Sequence, residues 1–171
     1  MRVVPYRHGV LHGVERAYAP HGKERRLARE TPWEDGERQG LMTVYHLENG
    51  KPRMEVSFEN GKRQGVMKTY DLPGRLVKVT PYVDDAMHGR VVEYYAETGQ
   101  EKKVIPYRGG KVHGVVSEYY PDGTLKRELP AVDDRFHGVE KAYDENGQPV
   151  RTRYWLRDEP VSRAEYEAAG R

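Results

Sequence analysis

The sequence predicts an all-β protein, an elongated single-layer meander or solenoid of about six stacked β-hairpin repeats with a short C-terminal capping helix. Three observations predict it. A His-Gly or Gln-Gly pair returns along the 171 residues with its glycine at Gly13, Gly40, Gly65, Gly89, Gly114 and Gly138. Five residues after each of these glycines stands a tyrosine: Tyr18, Tyr45, Tyr70, Tyr94, Tyr119 and Tyr143. A second glycine follows in every unit, at Gly22, Gly50, Gly74, Gly99, Gly123 and Gly147, in contexts such as Asn-Gly and Asp-Gly that favour a chain reversal. Self-similarity at a fixed period of 24 to 27 residues marks a repeat architecture.

Each unit therefore reads as strand, glycine turn, strand, turn. Val-Val-Glu-Tyr-Tyr (91–95) and Met-Glu-Val-Ser-Phe (54–58) alternate with the period of two expected of strands. Seven residues before the next repeat glycine the second strand carries its own aromatic, at Tyr6, Trp33, Phe58, Tyr82 and Tyr107, but Ala131 holds that place in the fifth unit. The last unit has Trp155. The two aromatic series are expected to pack along one face as a thin core, the structural ladder of the array.

The organisation that follows is a single repeat domain, 1–171: an N-terminal half repeat at 1–12, hairpins at 13–38, 39–63, 64–87, 88–112, 113–136 and 137–158, and a cap at 159–171. Pro5 on the first half repeat should blunt a sheet edge. The first hairpin is longer than the others, so a bulge or a lengthened tip is expected within Lys23 to Thr31. Ser162 and Glu165 have capping-box spacing and Gly170 follows as a stop, which predicts the helix.

Composition restricts function. Charged residues make up 33% against 36% hydrophobic, too polar a mixture for a deep enzyme-like core. There is no cysteine, hence no disulfide framework, thiolate nucleophile or cysteine zinc site. No apolar stretch reaches the roughly 18 residues of a membrane span and the N-terminus lacks a secretion signal, so a cytoplasmic location is expected. A net charge of +2 argues against nucleic acid as the partner.

Catalytic signals are weak. Asp84-Asp85-Ala86-Met87-His88 and Asp133-Asp134-Arg135-Phe136-His137 offer metal-ligand chemistry, yet equivalent residues of neighbouring hairpins lie two strand spacings apart, roughly 9.5 Å, too far to share one ion. The expected role of the repeat His or Gln is to bond turn carbonyls. Ser57, Ser117 and Ser162 lack any nucleophile-elbow context, and Glu93, Glu118 and Glu140 read as a solvated strand face. No catalytic residue, metal site or cofactor is predicted, and the protein is read as a non-enzyme.

Two features point to binding. In Tyr94-Tyr95 and Tyr119-Tyr120 adjacent residues face opposite sides of the strand, so Tyr95 and Tyr120 are candidate exposed contacts to a partner protein. The cluster Lys23-Glu24-Arg25-Arg26-Leu27-Ala28-Arg29 supplies Arg25, Arg26 and Arg29 as candidate docking residues.

A unit of about 24 residues with tyrosine, glycine hairpin, aromatic second strand and closing His-Gly resembles the variant MORN repeat, and the array with its capped ending resembles the YwqK-type antitoxin family of bacteria. The resemblance spans Pro5 to about Trp155. It departs at Gln39, Gln64, Ala131 and the extended first unit. It implies a non-catalytic, protein-binding repeat module, an antitoxin or immunity-type protein that masks a toxin or effector by an extended β face. The alternative is a scaffold for anionic lipid at a membrane surface. The sequence carries no signal for oligomeric state.

Overall fold

A computed structural model describes residues 1–170. They form antiparallel hairpins followed by one short helix, the all-β repeat architecture expected. The chain divides into two compact units, Met1–Ala86 and Met87–Arg171.

In the first unit Gly13–His21 pairs with Glu24–Glu34, Gly40–Tyr45 with Pro52–Glu59, and Lys62–Tyr70 with Leu76–Val83. Ahead of them, Tyr6–Arg7 pairs with Val10–Leu11 across His8-Gly9, and Arg2–Val3 lies along Gly13–His21. The extra residues of the first hairpin continue its ladder through Ala19 opposite Arg26, Pro20 opposite Arg25 and His21 opposite Glu24. A two-residue turn with Gly22 at φ +60° closes it. A bulge is present as well: Ala17 faces Arg29 and Tyr18 faces Leu27, which leaves Ala28 out of the register, and beyond it the lengthened tip is paired strand that carries Arg25 and Arg26.

In the second unit Gly89–Tyr94 pairs with Glu101–Arg108, Gly114–Tyr119 with Leu125–Val132, and Gly138–Tyr143 with Pro149–Leu156. The helix Arg163–Ala169 follows the strand Glu159–Val161. It starts on the predicted capping box, Ser162 accepting from the Glu165 N–H and the Glu165 carboxylate from the Ser162 N–H at 2.8 Å. Tyr166 then sets its ring 5.5 Å from that of Tyr154.

Proline inside four second strands would normally break a ladder, because it has no N–H to give. Here the ladder lapses at that point. Pairing of Glu24–Glu34 with the chain that follows it stops after Glu30 opposite Thr43 and resumes at Trp33 opposite Arg38. In the gap the Pro32 carbonyl accepts from the Gln39 N–H, as Pro5 does from His12, Pro106 from His113 and Pro130 from His137. The proline ring then covers the repeat glycine. A Cβ built on Gly114, whose φ is +125°, would lie 2.9 Å from Pro106 Cγ, so the backbone conformation and the space both require glycine. Pro5, for its part, packs against Gly13 between two short strands and does not lie within an edge strand.

Register decides the core. Each repeat glycine pairs with the second-strand aromatic, as Gly40 with Phe58 and Gly89 with Tyr107, except that Gly114 pairs with Ala131. Directly paired residues share a face, so the aromatics lie on the side of the glycine and of the residue two beyond it. Val56, Phe58, Thr80 and Tyr82 form that buried layer in the first unit; Val91, Val116, Leu129 and Ala131 form it in the second. The first-strand tyrosines stand at an odd offset from the glycine and occupy the opposite face, where Val92 and Val104 are also buried. The expectation that both aromatic series share one face is therefore corrected, and the reason is this parity. Small cores on both faces of the sheet hold each polar unit together.

Candidate binding surfaces

The turns that carry the Asp-Asp and His residues are committed to structure. Asp85 Oδ1 accepts from the Arg63 backbone N–H at 2.9 Å and from Arg63 Nε at 2.8 Å, while Asp134 Oδ1 accepts from the Val112 N–H at 2.8 Å. The Arg63 guanidinium first, and then its backbone N–H, holds the Asp85 carboxyl below the usual carboxylate range. In three hairpins the repeat Gln or His accepts an N–H group of the following turn instead of bonding its carbonyls: Gln39 takes Asn60 and Gln64 takes Asp84, both at 2.9 Å, and His88 Nδ1 takes Gly109 at 3.4 Å, whereas Nδ1 of His12 and of His113 lies 3.3 Å from the carboxylates of Asp35 and Asp133. Among the described residues no three His, Asp or Glu side chains converge as a metal centre would.

Sequence reasoning missed two buried carboxylates. Glu15 and Glu140 stand two residues after their repeat glycines, where Met42, Met67, Val91 and Val116 stand in the other hairpins, and each is only 1% exposed. Glu140 was expected on a solvated face. It instead accepts Trp155 Nε1 at 2.8 Å, Arg151 Nη2 at 2.9 Å and Arg127 Nε at 3.0 Å. Glu15 repeats the arrangement with Trp33 Nε1 at 3.0 Å, Arg29 and Arg2. Burial pushes the Glu140 carboxyl up, but the indole N–H and the two guanidinium groups outweigh it and the group lies below the usual range. The bond from Arg2 leads in doing the same for Glu15. The signal was present: the chain's two tryptophans stand in these two hairpins, each with an arginine four residues before it.

On the opposite face the repeat tyrosine donates to a glutamate of the preceding hairpin, Tyr45 to Glu30 at 2.6 Å, Tyr70 to Glu55 at 2.7 Å and Tyr143 to Glu128 at 3.3 Å. Burial first, and then the facing carboxylate, pushes the phenols of Tyr45 and Tyr70 up to about 12. Tyr95 and Tyr120 are half-buried. Their hydroxyls donate to the carbonyls of Tyr119 and Tyr143 at 2.9 and 3.0 Å, and Lys102 and Lys126 lie 5.7 and 5.2 Å from their ring centres. Each therefore ties one hairpin to the next through its hydroxyl and keeps part of its ring open.

The three arginines of the basic cluster separate. Arg26 Nη1 donates to the carbonyls of Leu47 and Glu48 at 2.9 and 2.6 Å, Arg29 serves Glu15, and Arg25 is exposed. A different surface stands out. One residue after the repeat glycine, Val14, Leu41 and Val66 are 39%, 50% and 39% exposed, and they pair with Pro32, Ser57 and Pro81. On the tyrosine face of the first unit these three aliphatic residues, with Pro32 and Pro81, make a mostly apolar row interrupted by Ser57. Val115, 44% exposed and paired with Pro130, repeats it in the second.

Hairpins joined through backbone, with a small core on each face, define a β-hairpin repeat protein. Residues 112–133 and 136–156 match the family model described as the MORN repeat variant, so this part of the chain carries two repeats of that type. No curated protein matches the chain. Among the described residues no helix is long and apolar enough to cross a membrane.

Proposed function

We propose that the protein is a non-catalytic protein-binding module of the antitoxin or immunity type, which masks a partner protein by an extended β face. The exposed row Val14, Leu41 and Val66, flanked by Pro32 and Pro81, carries this reading. Outside its two small cores the sheet exposes branched aliphatic side chains at one repeated position, and contiguous apolar surface is where partners bind. The open parts of the Tyr95 and Tyr120 rings and the exposed Arg25 are further contact candidates. Arginine and tyrosine are residue types favoured at such interfaces.

The test is affinity purification of the tagged protein from its native cells, with mass spectrometry, beside the variant Leu41→Lys, Val66→Lys. A stoichiometric protein bound to the wild type and absent from the folded variant is the expected result. Retention of the same partner by the variant would remove the row from the interface, and absence of any stoichiometric partner would sink the masking role.

A further inference from the structure

The fifth hairpin lacks its aromatic, and the structure is open there. Ala131 occupies the position held by Trp33, Phe58, Tyr82, Tyr107 and Trp155 in other hairpins. Beside it lies a recess of about 460 Å³, within the range of small-ligand sites. The register shows how it is built. Val116 pairs with Leu129, and Gly114 with Ala131, which pairs on its other side with Phe136. Ala131, Leu129 and Val116, 2%, 4% and 9% exposed, make the floor; Ile105, Tyr107 and Phe136 make the walls.

Asp134 lines the recess too, its carboxylate accepting the Val112 N–H at 2.8 Å, and among the other charged lining residues the charges already balance. Lys103 Nζ lies 3.0 Å from Glu118 Oε1, and Arg127 Nε lies 3.0 Å from Glu140 Oε1. An ionised head group would enter against one member of each pair, whereas a neutral hydroxyl could meet either sign. The apolar floor requires a flat or branched apolar body. The chain itself shows which one, because an aromatic ring fills the same position in the hairpins to either side.

We propose that this recess is a binding site for a neutral aromatic ring, the anchor point for a tyrosine or phenylalanine side chain of the partner protein. The ring takes the place of the missing rung between Tyr107 and Trp155, and a phenol hydroxyl reaches the Lys103–Glu118–Arg127 end. The assignment to a side chain rests on the protein-binding reading above; the site for the ring does not. Buried aromatic anchors in pockets carry a large share of binding energy at protein interfaces, so one such slot supplies an affinity that the flat aliphatic row lacks.

The probe is p-cresol, the tyrosine side chain as a free molecule, titrated into methyl-labelled full-length protein and followed by NMR. The expected result is saturable shifts at the methyl groups of Val116, Leu129, Ile105 and Ala131, with those of Val14 and Leu41 unmoved. Ala131→Tyr fills the rung with the chain's own ring and should abolish the shifts at Val116 and Leu129 while circular dichroism shows an intact fold. If that variant does not fold, Val112→Trp at the mouth of the recess blocks it from the other side and reads the same way. Absence of shifts at the floor methyls, or shifts that survive blocking, overturns the site. N-acetyl-tyrosinamide tells the two sources apart: binding with the same methyl pattern supports a protein side chain, and exclusion of it while p-cresol binds overturns that assignment. Loss of partner capture in the Leu41 and Val66 variant leaves these shifts in place, so failure of the two readings is distinguishable.

Discussion

The indole nitrogen of Trp155 lies 2.8 Å from a carboxylate oxygen of Glu140, a side chain with 1% of its surface exposed. The same pair of residue types meets at 3.0 Å between Trp33 and Glu15. Each carboxylate is an ion on the core-facing side of a sheet, and each remains charged because two arginines and one indole satisfy it there.

Removing the indole donor while keeping the ring should expose that dependence. Trp155→Phe leaves Glu140 Oε2 buried without its donor and is expected to cost about 1–3 kcal/mol, as a lowered urea midpoint with an unchanged slope. Tyr82→Phe, in a rung whose neighbouring first-strand positions are methionine and valine, should cost less.

Acid should weaken the fold through the same groups. Both glutamates hold folded values below their unfolded value of 4.5, so their contribution is complete above that pH and is lost as the pH falls through the folded values. Urea melts from pH 6 downward should therefore show stability falling below about pH 4.5. The Glu15→Gln, Glu140→Gln double variant should have a flatter acid limb, starting from a lower stability.

Alkali acts on the other face. With phenols raised from 10 to about 12, Tyr45 and Tyr70 favour folding fully below pH 10, and that contribution declines as the pH rises toward 12. Spectrophotometric titration should show a late-ionising class of tyrosines that Tyr70→Phe reduces. The same variant frees Glu55 from its 2.7 Å bond and should lose about 1 kcal/mol.

Two glycine substitutions separate strain from crowding. Gly114→Ala meets Pro106 Cγ at 2.9 Å in addition to its positive φ, whereas Gly65→Ala, also at positive φ, has Ser57 Cβ at 4.0 Å as its nearest neighbour. The first should cost clearly more than the roughly 1–2 kcal/mol of backbone strain that both share. Pro106→Ser should recover part of the excess, which a double-mutant cycle in urea would read.

The fold was legible because it is written six times. Glycine at positive φ in every tip and proline before most second-strand aromatics fix the hairpins without any knowledge of packing. The capping box at Ser162 was equally local. Burial of Glu15 and Glu140 was hidden because a carboxylate on a strand normally marks water, and only aligning it with Met42, Met67, Val91 and Val116 reveals a core position. The fate of Arg26 was hidden for another reason: its acceptors at Leu47 and Glu48 belong to the next hairpin and are backbone carbonyls, which no side-chain pattern announces. The exposure of Val14, Leu41 and Val66 was hidden because an aliphatic residue on a strand reads the same whether it is exposed, as here, or buried, as Val91 and Val116 are.

The joints between hairpins hold a consequence for how such a chain changes in length. Asp134 N–H bonds the Val112 carbonyl and Asp158 N–H the Phe136 carbonyl, and each aspartate returns a bond by accepting the N–H of that same residue, so every such joint is made by one turn aspartate and main chain alone. Duplicating or deleting one whole hairpin regenerates the same joint, while a gain or loss of any odd number of residues within a strand turns its two faces over. Copy number is therefore the variable that a lineage of these proteins is free to alter, and the span of surface it presents would follow in whole steps.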